Sequence, residues 1–317
     1  MKRLLVLLMM LCLGLSGCTT LSDPLSEAAT PLSDVHSELP APIAPQTLRS
    51  QETVTLYFRY LDEPYLAPES RELRILPDQT QEMALLSALF AGPDVQSPEL
   101  ISAFPSGVKA LSTVRQGRTL FVTLSASIMN PWPDEPAAWQ ADPYWAQEAP
   151  LRRRLAMQSL IATITENCDV DTVQVLVEQS GYVTDSLRLR ERFYLTTDDA
   201  SLLAEPLRRD DSLLLTPGNT LQVILTLWQS RDWTRLQRYL ALNASADLTS
   251  LPHLLDFSFT GGAISPDGQT ATFTLDATLR SGGTESAFTG RILRLRREAG
   301  LWRISPNQLT GWMEDVR

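Results

Sequence analysis

The chain is predicted to be an α+β protein, with two folded units behind an exported and tethered N-terminus. Three observations carry that expectation. Apolar residues recur with period 2 in some stretches and 3.6 in others, in both halves of the chain. Apolar and charged fractions of 44% and 20% are those of a globular protein. A proline-rich stretch separates a short apolar start from the first periodic segment. A length of 317 residues accommodates two ordinary domains or one large one. The expected division is a leader over 1–17, a tether over 18–50, a first domain over 51–197, a linker over 198–215 and a second domain over 216–317.

The leader opens with Lys2 and Arg3, continues through an apolar run from Leu4 to Leu15, and ends in Ser16 and Gly17 before Cys18. A basic start, a short apolar middle and small residues at a boundary make a secretion signal. The run is too short to span a bilayer, which takes about 20 apolar residues in a helix. Leu15-Ser16-Gly17-Cys18 matches the lipobox of bacterial lipoproteins, so Cys18 is expected to carry the lipid and become the first residue after cleavage. Cys12 competes poorly, because bulky Met10 and Leu11 precede it. The formal charge of −10 becomes −12 once Lys2 and Arg3 leave. An acidic chain repels phosphate backbones, so nucleic acid is not an expected partner. Cys168 would then be a lone thiol in an exported protein, read as a buried, inert side chain at the end of a helix. The tether carries Pro24, Pro31, Pro40, Pro42 and Pro45 among small polar and acidic residues, with no sustained apolar period.

In the first domain, Val54, Leu56, Phe58 and Tyr60 alternate with Thr53, Thr55, Tyr57 and Arg59, the period of a half-buried strand. Thr80 is the expected N-cap of a helix whose stripe is Met83, Leu86, Leu89 and Phe90, ended by Gly92-Pro93. Val108–Val114 and Leu120–Leu124 read as a hairpin turning at Gln116-Gly117. A second helix is expected from near Pro150, with Met157, Leu160, Ile161, Ile164 and Cys168 as its seam. Val173, Val175 and Val177 supply another strand, and Leu187–Leu195 offers one more.

Several of these residues carry a family likeness. Val54-Thr55-Leu56-Tyr57-Phe58, then Ala84-Leu85-Leu86 leading to Leu89-Phe90-Ala91-Gly92-Pro93, resembles the GerMN domain of spore germination and sporulation lipoproteins. Pro105-Ser106-Gly107-Val108 and Val122-Thr123-Leu124-Ser125 extend the likeness over about residues 52–195. The resemblance implies an α/β fold like the ring-building motifs of secretion-system and sporulation membrane rings. It also implies a role in envelope assembly or germination, and it brings no catalytic residue with it.

The second domain is expected to open at Thr216-Pro217, an N-cap followed by a proline suited to the first helical turn. Leu221, Ile224, Leu225 and Trp228 give one apolar face, and Asp232 caps a second helix carrying Leu236, Tyr239 and Leu240. Strands are expected near 255–264, 269–280, 285–297 and 301–309. Their turns are Pro266-Asp267-Gly268, Ser281-Gly282-Gly283 and Ala299-Gly300. Two helices followed by an antiparallel curved sheet resemble the nuclear transport factor 2-like (cystatin-like) cone, with Trp302-Arg303-Ile304 opening the last strand.

Reactive signatures are sparse. The sequence has no Gly-rich phosphate loop, G-x-S-x-G elbow, C-x-x-C pair or H-E-x-x-H helix. Its two histidines, His36 and His253, lie far apart in sequence. Asp276 shares a strand face with Thr272, Thr274 and Thr278, a setting for a solvated carboxylate rather than a tuned acid. No catalytic residue, cofactor or metal is therefore expected. The segment from Asn130 to Glu148 is the most distinctive, with Trp132, Trp139, Tyr144 and Trp145 among four prolines and the acids Asp134, Glu135 and Asp142. These aromatics suit stacking on sugar rings or packing a partner, or else burying the loop's own surface. Arg152, Arg153 and Arg154 follow near the start of the second helix. They suit either an anionic partner or pairing with Asp134, Glu135 and Glu148.

The expected protein is a non-enzymatic lipoprotein outside the cytoplasmic membrane, held to membrane lipid through Cys18. It would act by contact with envelope proteins or by self-assembly, in sporulation or germination. The alternative is a ligand-binding module for a cell-wall glycan, a peptide or a small apolar molecule.

Overall fold

The computed structural model of the chain describes residues 50–179, 182–189, 193, 205–242, 244 and 246–312. The expected leader, the lipobox ending at Cys18 and the tether up to residue 49 lie outside the described residues. So does most of Leu187–Leu195. Strand β1 (Ser50–Tyr60) pairs antiparallel with β2 (Leu66–Ile75), a strand the sequence reading missed, in a register running from Ser50↔Ile75 to Arg59↔Leu66. Helix α1 (Gln81–Phe90) begins as expected, with the Thr80 hydroxyl accepting from Met83 N at 3.2 Å. Its buried residues are Ala84, Leu85, Leu86 and Leu89, a wider set than the expected stripe. Met83 and Phe90 are only half-buried. The reason is that α1 is covered from several sides, by β2, by the strand Ala110–Gln116 and by the helix Trp145–Asn167. The two-residue β3 (Leu100–Ile101) joins the end of β1.

The expected hairpin is present as β4 (Ala110–Gln116) and β5 (Thr119–Leu124), with Gly117 at φ +61° in its turn. Helix α2 (Trp145–Asn167) then carries the chain to β6 (Thr172–Gln179), which lies parallel to β5. β7 (Tyr182–Arg188) and the short β8 (Leu207–Arg208) both pair antiparallel with β6. α2 starts five residues before the expected Pro150. The Asp142 carboxylate explains the earlier start: its Oδ1 accepts from Tyr144 N at 2.8 Å and from Trp145 N at 3.0 Å, supplying the first turn with an acceptor.

β1 alternates as expected only over residues 53–56 and is buried on both faces beyond them. Tyr57 and Arg59, on the face expected to be wet, are as buried as Leu56 and Phe58. The cause is α2, which lies along β1 and bonds its backbone. Ser159 Oγ donates to Tyr57 O at 2.6 Å, Tyr57 N donates to Thr163 Oγ1 at 3.1 Å, and Thr55 N donates to Asn167 Oδ1 at 3.0 Å. Asn167 Nδ2 returns a bond to Thr55 O at 2.8 Å. Ser159, Thr163 and Asn167 recur every fourth residue and so share one helix face. That polar stripe occupies backbone groups which an open strand edge would present to another chain.

The C-terminal half begins with α3 (Pro217–Ser230), capped by Thr216 accepting from Asn219 N at 3.2 Å, and α4 (Trp233–Leu236), capped by Asp232 accepting from Arg235 N at 3.2 Å. An antiparallel sheet follows in the order β12-β11-β10-β9, from β9 (His253–Ile264), β10 (Thr270–Ser281), β11 (Thr284–Glu298) and β12 (Leu301–Ile304). The last strand is shorter than expected, since Ser305-Pro306 starts a final turn of helix, α5 (Pro306–Thr310). Ala271, Phe273, Leu275, Ala277 and Leu279 are buried on one face of β10. Trp228 from α3 is fully buried and donates its Nε1–H to Pro252 O at 2.9 Å. Asp276 is exposed, as expected, and its position explains it. The β10–β11 register shifts between Leu275 and Ala277, and Asp276 Oδ1 accepts from Gly290 N there at 2.7 Å. This carboxylate caps a β-bulge.

Residues 46–317 constitute one compact unit, and the two halves meet through polar as well as apolar contacts. Residues 205–215, which fall in the expected linker, contribute β8 and the buried Leu213, Leu214 and Leu215; Leu215 N donates to Leu66 O at 2.8 Å. Tyr60 Oη donates to Arg238 O at 2.7 Å, and its ring lies 5.5 Å from that of Tyr239. Glu63, 1% exposed, accepts from Arg235 Nε at 2.9 Å and Arg238 Nη1 at 2.8 Å. Arg303, on β12, bonds Glu99 and the carbonyls of Arg238 and Leu240.

Cys168 is half-buried at the C-cap of α2, and burial pushes its thiol up to about 11. The sign is that of a thiol kept neutral until the pH approaches that value. At pH 8 only about one part in a thousand is thiolate, against about a quarter for a free cysteine. In a Cys12→Ser/Cys18→Ser chain, where Cys168 is the sole thiol, alkylation by iodoacetamide at pH 8 should run about a hundredfold slower than for a free cysteine. A rate within a few-fold of the free thiol would contradict this placement.

Candidate functional site

The segment from Asn130 to Tyr144 folds back onto the first two turns of α2, and the arginines of that helix hold it there. Arg152 donates twice to Asp134, from Nη1 at 2.7 Å and Nη2 at 2.9 Å, and from Nε to Glu148 at 2.7 Å. Its guanidinium lies 4.7 Å from the ring centroid of Trp145. Arg153 donates to Glu135 at 2.7 Å and lies 5.1 Å from the ring of Trp132 and 5.4 Å from that of Trp139. Arg154 is exposed and pairs with Asp210 at 2.8 Å. The pairing of the arginine run with Asp134, Glu135 and Glu148 is therefore present, and the indoles lie over guanidinium groups in cation–π contact.

The four aromatics have different fates. Trp132 is buried at 8% exposure, and Trp139 and Trp145 are half-covered. Tyr144 is 59% exposed, with its ring edge-on to Trp145 at a centroid separation of 5.6 Å. The tryptophans cover the loop's own ground, and Tyr144 faces solvent.

Beneath Tyr144 lies a groove of about 340 Å³. Trp132, Asp134, Glu148 and Arg152 supply one side, and Arg59, Leu61, Asp62, Ile101, Ser102, Ala103 and Leu155 the rest of the lining. Arg59 is the residue that the sequence reading did not single out. It is buried, chelates the Glu148 carboxylate with Nη2 at 3.2 Å and with Nη1, and donates to Glu63 O at 3.0 Å and Asp62 O at 2.9 Å. Its place in an alternating strand marks it as solvent-facing, and only the helix laid over β1 reverses that. Ile101 is 47% exposed at the groove.

The groove's lining is more apolar than polar, and its charged side chains are paired. Arg59 and Arg152 face Glu148 and Asp134, and hydrogen bonding from Arg152 holds the Asp134 carboxyl below the usual carboxylate range. Asp134 is thereby held as an anion, a poor state for donating a proton at neutral pH. A second recess, about 440 Å³, is shallow and lined by Arg118, Asp169, Asp171, Arg209 and Asp211 beside Cys168. Its charges also pair, Arg118 with both Asp169 and Asp171 and Arg209 with Asp211. Among the described residues there is no cluster of His, Cys, Asp and Glu able to hold a metal, and no helix long and apolar enough to cross a membrane.

Residues 55–182 match a family described as "Germane: Sporulation and spore germination". No curated protein matches the chain. Among solved structures, the tandem GerMN domains of the sporulation protein GerM from Bacillus subtilis align at 20% identity over 55% of this chain and 50% of that one, with a TM-score of 0.33. The chain thus spans about half the length of that tandem pair. A candidate lipoprotein from Clostridium perfringens aligns at 21% identity over 51% of this chain and 90% of that one, TM-score 0.28. The first GerMN domain of the Bacillus subtilis protein aligns at 14% identity over 50% and 96%, TM-score 0.27.

Proposed function

With residues 55–182 carrying a GerMN domain of the sporulation and germination family, we propose that the protein is an envelope lipoprotein that works by holding partners rather than by turning over a substrate. Cys18 carries the lipid, the chain lies on the outer side of the cytoplasmic membrane, and its folded part contacts envelope proteins during sporulation or germination. The observation that best supports binding over catalysis is the commitment of the groove's charges. Arg59, Glu148, Arg152 and Asp134 are tied to one another in a rigid lattice, which suits a preformed contact surface. A general acid or base needs a proton that can leave and return near neutral pH.

Two measurements on the full chain test this. Radiolabelled palmitate should mark the wild-type protein and leave Cys18→Ser unlabelled, and Cys18→Ser should move from the membrane fraction to the soluble one. Crosslinking in sporulating cells should yield a discrete higher-mass species containing this chain. Equal labelling or unchanged fractionation of Cys18→Ser overturns the anchor. Absence of any crosslinked species, with a monomer by light scattering in detergent, overturns the interaction role.

A further inference from the structure

We propose that the groove beneath Tyr144 binds a neutral saccharide, one ring of which stacks on the exposed Tyr144 face. Four features of the groove lead there. It is small, about 340 Å³, the scale of a small-molecule site rather than of a folded partner. Its lining is mixed, more apolar than polar, and its charges are compensated: Arg59 and Arg152 are matched by Glu148 and Asp134, and Asp62 pairs with Arg238 beside the groove. An anion or cation entering would have to displace one member of an existing pair, whereas a neutral polyol would not. Planar guanidinium and carboxylate groups side by side offer donors and acceptors together, and neighbouring ring hydroxyls can use both at once. Asp134, with its side chain 58% exposed, and Arg152, at 17%, are the members open to such bonds.

The aromatic and apolar parts complete the match. Tyr144 presents 59% of its surface, and its ring is braced by that of Trp145 at a near-perpendicular angle of 85°. Ile101, at 47% exposure, adds an apolar contact in the same groove. A pyranose has this mixed character, with C–H groups on its ring faces and hydroxyls around its rim. A peptide would instead seek unpaired backbone donors and acceptors, and the groove is lined by side chains of an α-helix, a strand end and a loop. The loop is also stiff before any ligand arrives. Pro131, Pro133, Pro136 and Pro143 restrict its backbone, and Arg152 and Arg153 staple it to α2, so little ordering entropy opposes binding.

The test is calorimetric titration of the full chain in detergent with three trisaccharides of similar size. N-acetylated chitotriose is neutral, its deacetylated form is cationic at pH 6, and a galacturonate trimer is anionic. Saturable binding of the neutral trimer, at least tenfold tighter than either charged one, is expected. Tyr144→Ala should weaken it about tenfold, and Val114→Ala, an exposed apolar change on β4, should leave it unaltered. Circular dichroism checks that Tyr144→Ala is folded, which its exposure favours. No saturable binding of the neutral trimer, equal binding of a charged one, or Tyr144→Ala binding like wild type would each overturn the proposal. Crosslinked partner yield is read in parallel. If Tyr144→Ala loses the sugar and keeps the protein partner, the saccharide site and the interaction role stand apart.

Discussion

Arg59→Met is expected to destabilise the protein by about 3–5 kcal/mol, the usual result of removing one partner from a buried ion pair. Arg59 and Glu148 are both nearly inaccessible, with side-chain exposures of 7% and 8%. Arg59 also serves the carbonyls of Asp62 and Glu63, which methionine cannot. Glu148 would keep Arg152 as a partner but lose its buried one. The informative comparison is Arg59→Met/Glu148→Leu. Replacing a buried pair by apolar groups of similar size is often neutral or stabilising, so the double variant should recover much of the loss. The two unmet carbonyls would retain part of it. Urea unfolding followed by tryptophan fluorescence measures all three chains. An Arg59→Met midpoint equal to wild type, or a double variant no better than the single, would show that the pair is not buried as described.

Glu63→Ala is the second large effect, expected at about 2–4 kcal/mol. The range sits below that of a sealed pair because Arg235 and Arg238 are 40% and 28% exposed and can turn toward water once released. The qualitative signature matters more than the size. Glu63 belongs to the turn between β1 and β2, and its arginines belong to the segment that follows α3, so its loss weakens one half's hold on the other. Calorimetry should show one transition for wild type and a broadened or split one for Glu63→Ala. A single sharp transition at the wild-type temperature would argue that the contact carries no coupling.

Much of the architecture was legible because it rests on local chemistry. Thr80, Thr216 and Asp232 cap the helices they were expected to cap, and each does so through a side-chain oxygen on a backbone N–H three residues on. Gly117, Gly268, Gly282 and Gly300 adopt positive φ in the turns where they were expected. What escaped depended on distant partners. β2 contains Pro68, Glu69, Ser70, Arg71 and Glu72, a run with no apolar alternation, and it is a strand because it pairs along the full length of β1. The wet face assigned to β1 fails at Tyr57 and Arg59, because Ser159, Thr163 and Asn167 bring their helix onto it from over a hundred residues away. That stripe was visible as three polar residues at a spacing of four inside an apolar helix, and its meaning was not. At the candidate groove, the aromatics and the arginine run stood out by composition. Arg59, which completes the floor, looked like the polar half of an ordinary strand.

The contact through Glu63 bears on how genetic alleles of this protein should be interpreted. A stop codon near residue 215 removes α3, α4 and the last sheet, and it also strips a carboxylate that is 1% exposed of both its cationic neighbours. The remaining fragment must protonate that acid, expose it, or unfold around it. A null phenotype from such an allele would therefore report damage to the part still encoded as much as the missing part. Dissecting the contributions of the two halves calls for point changes on their outer surfaces, with the shared ionic knot left whole.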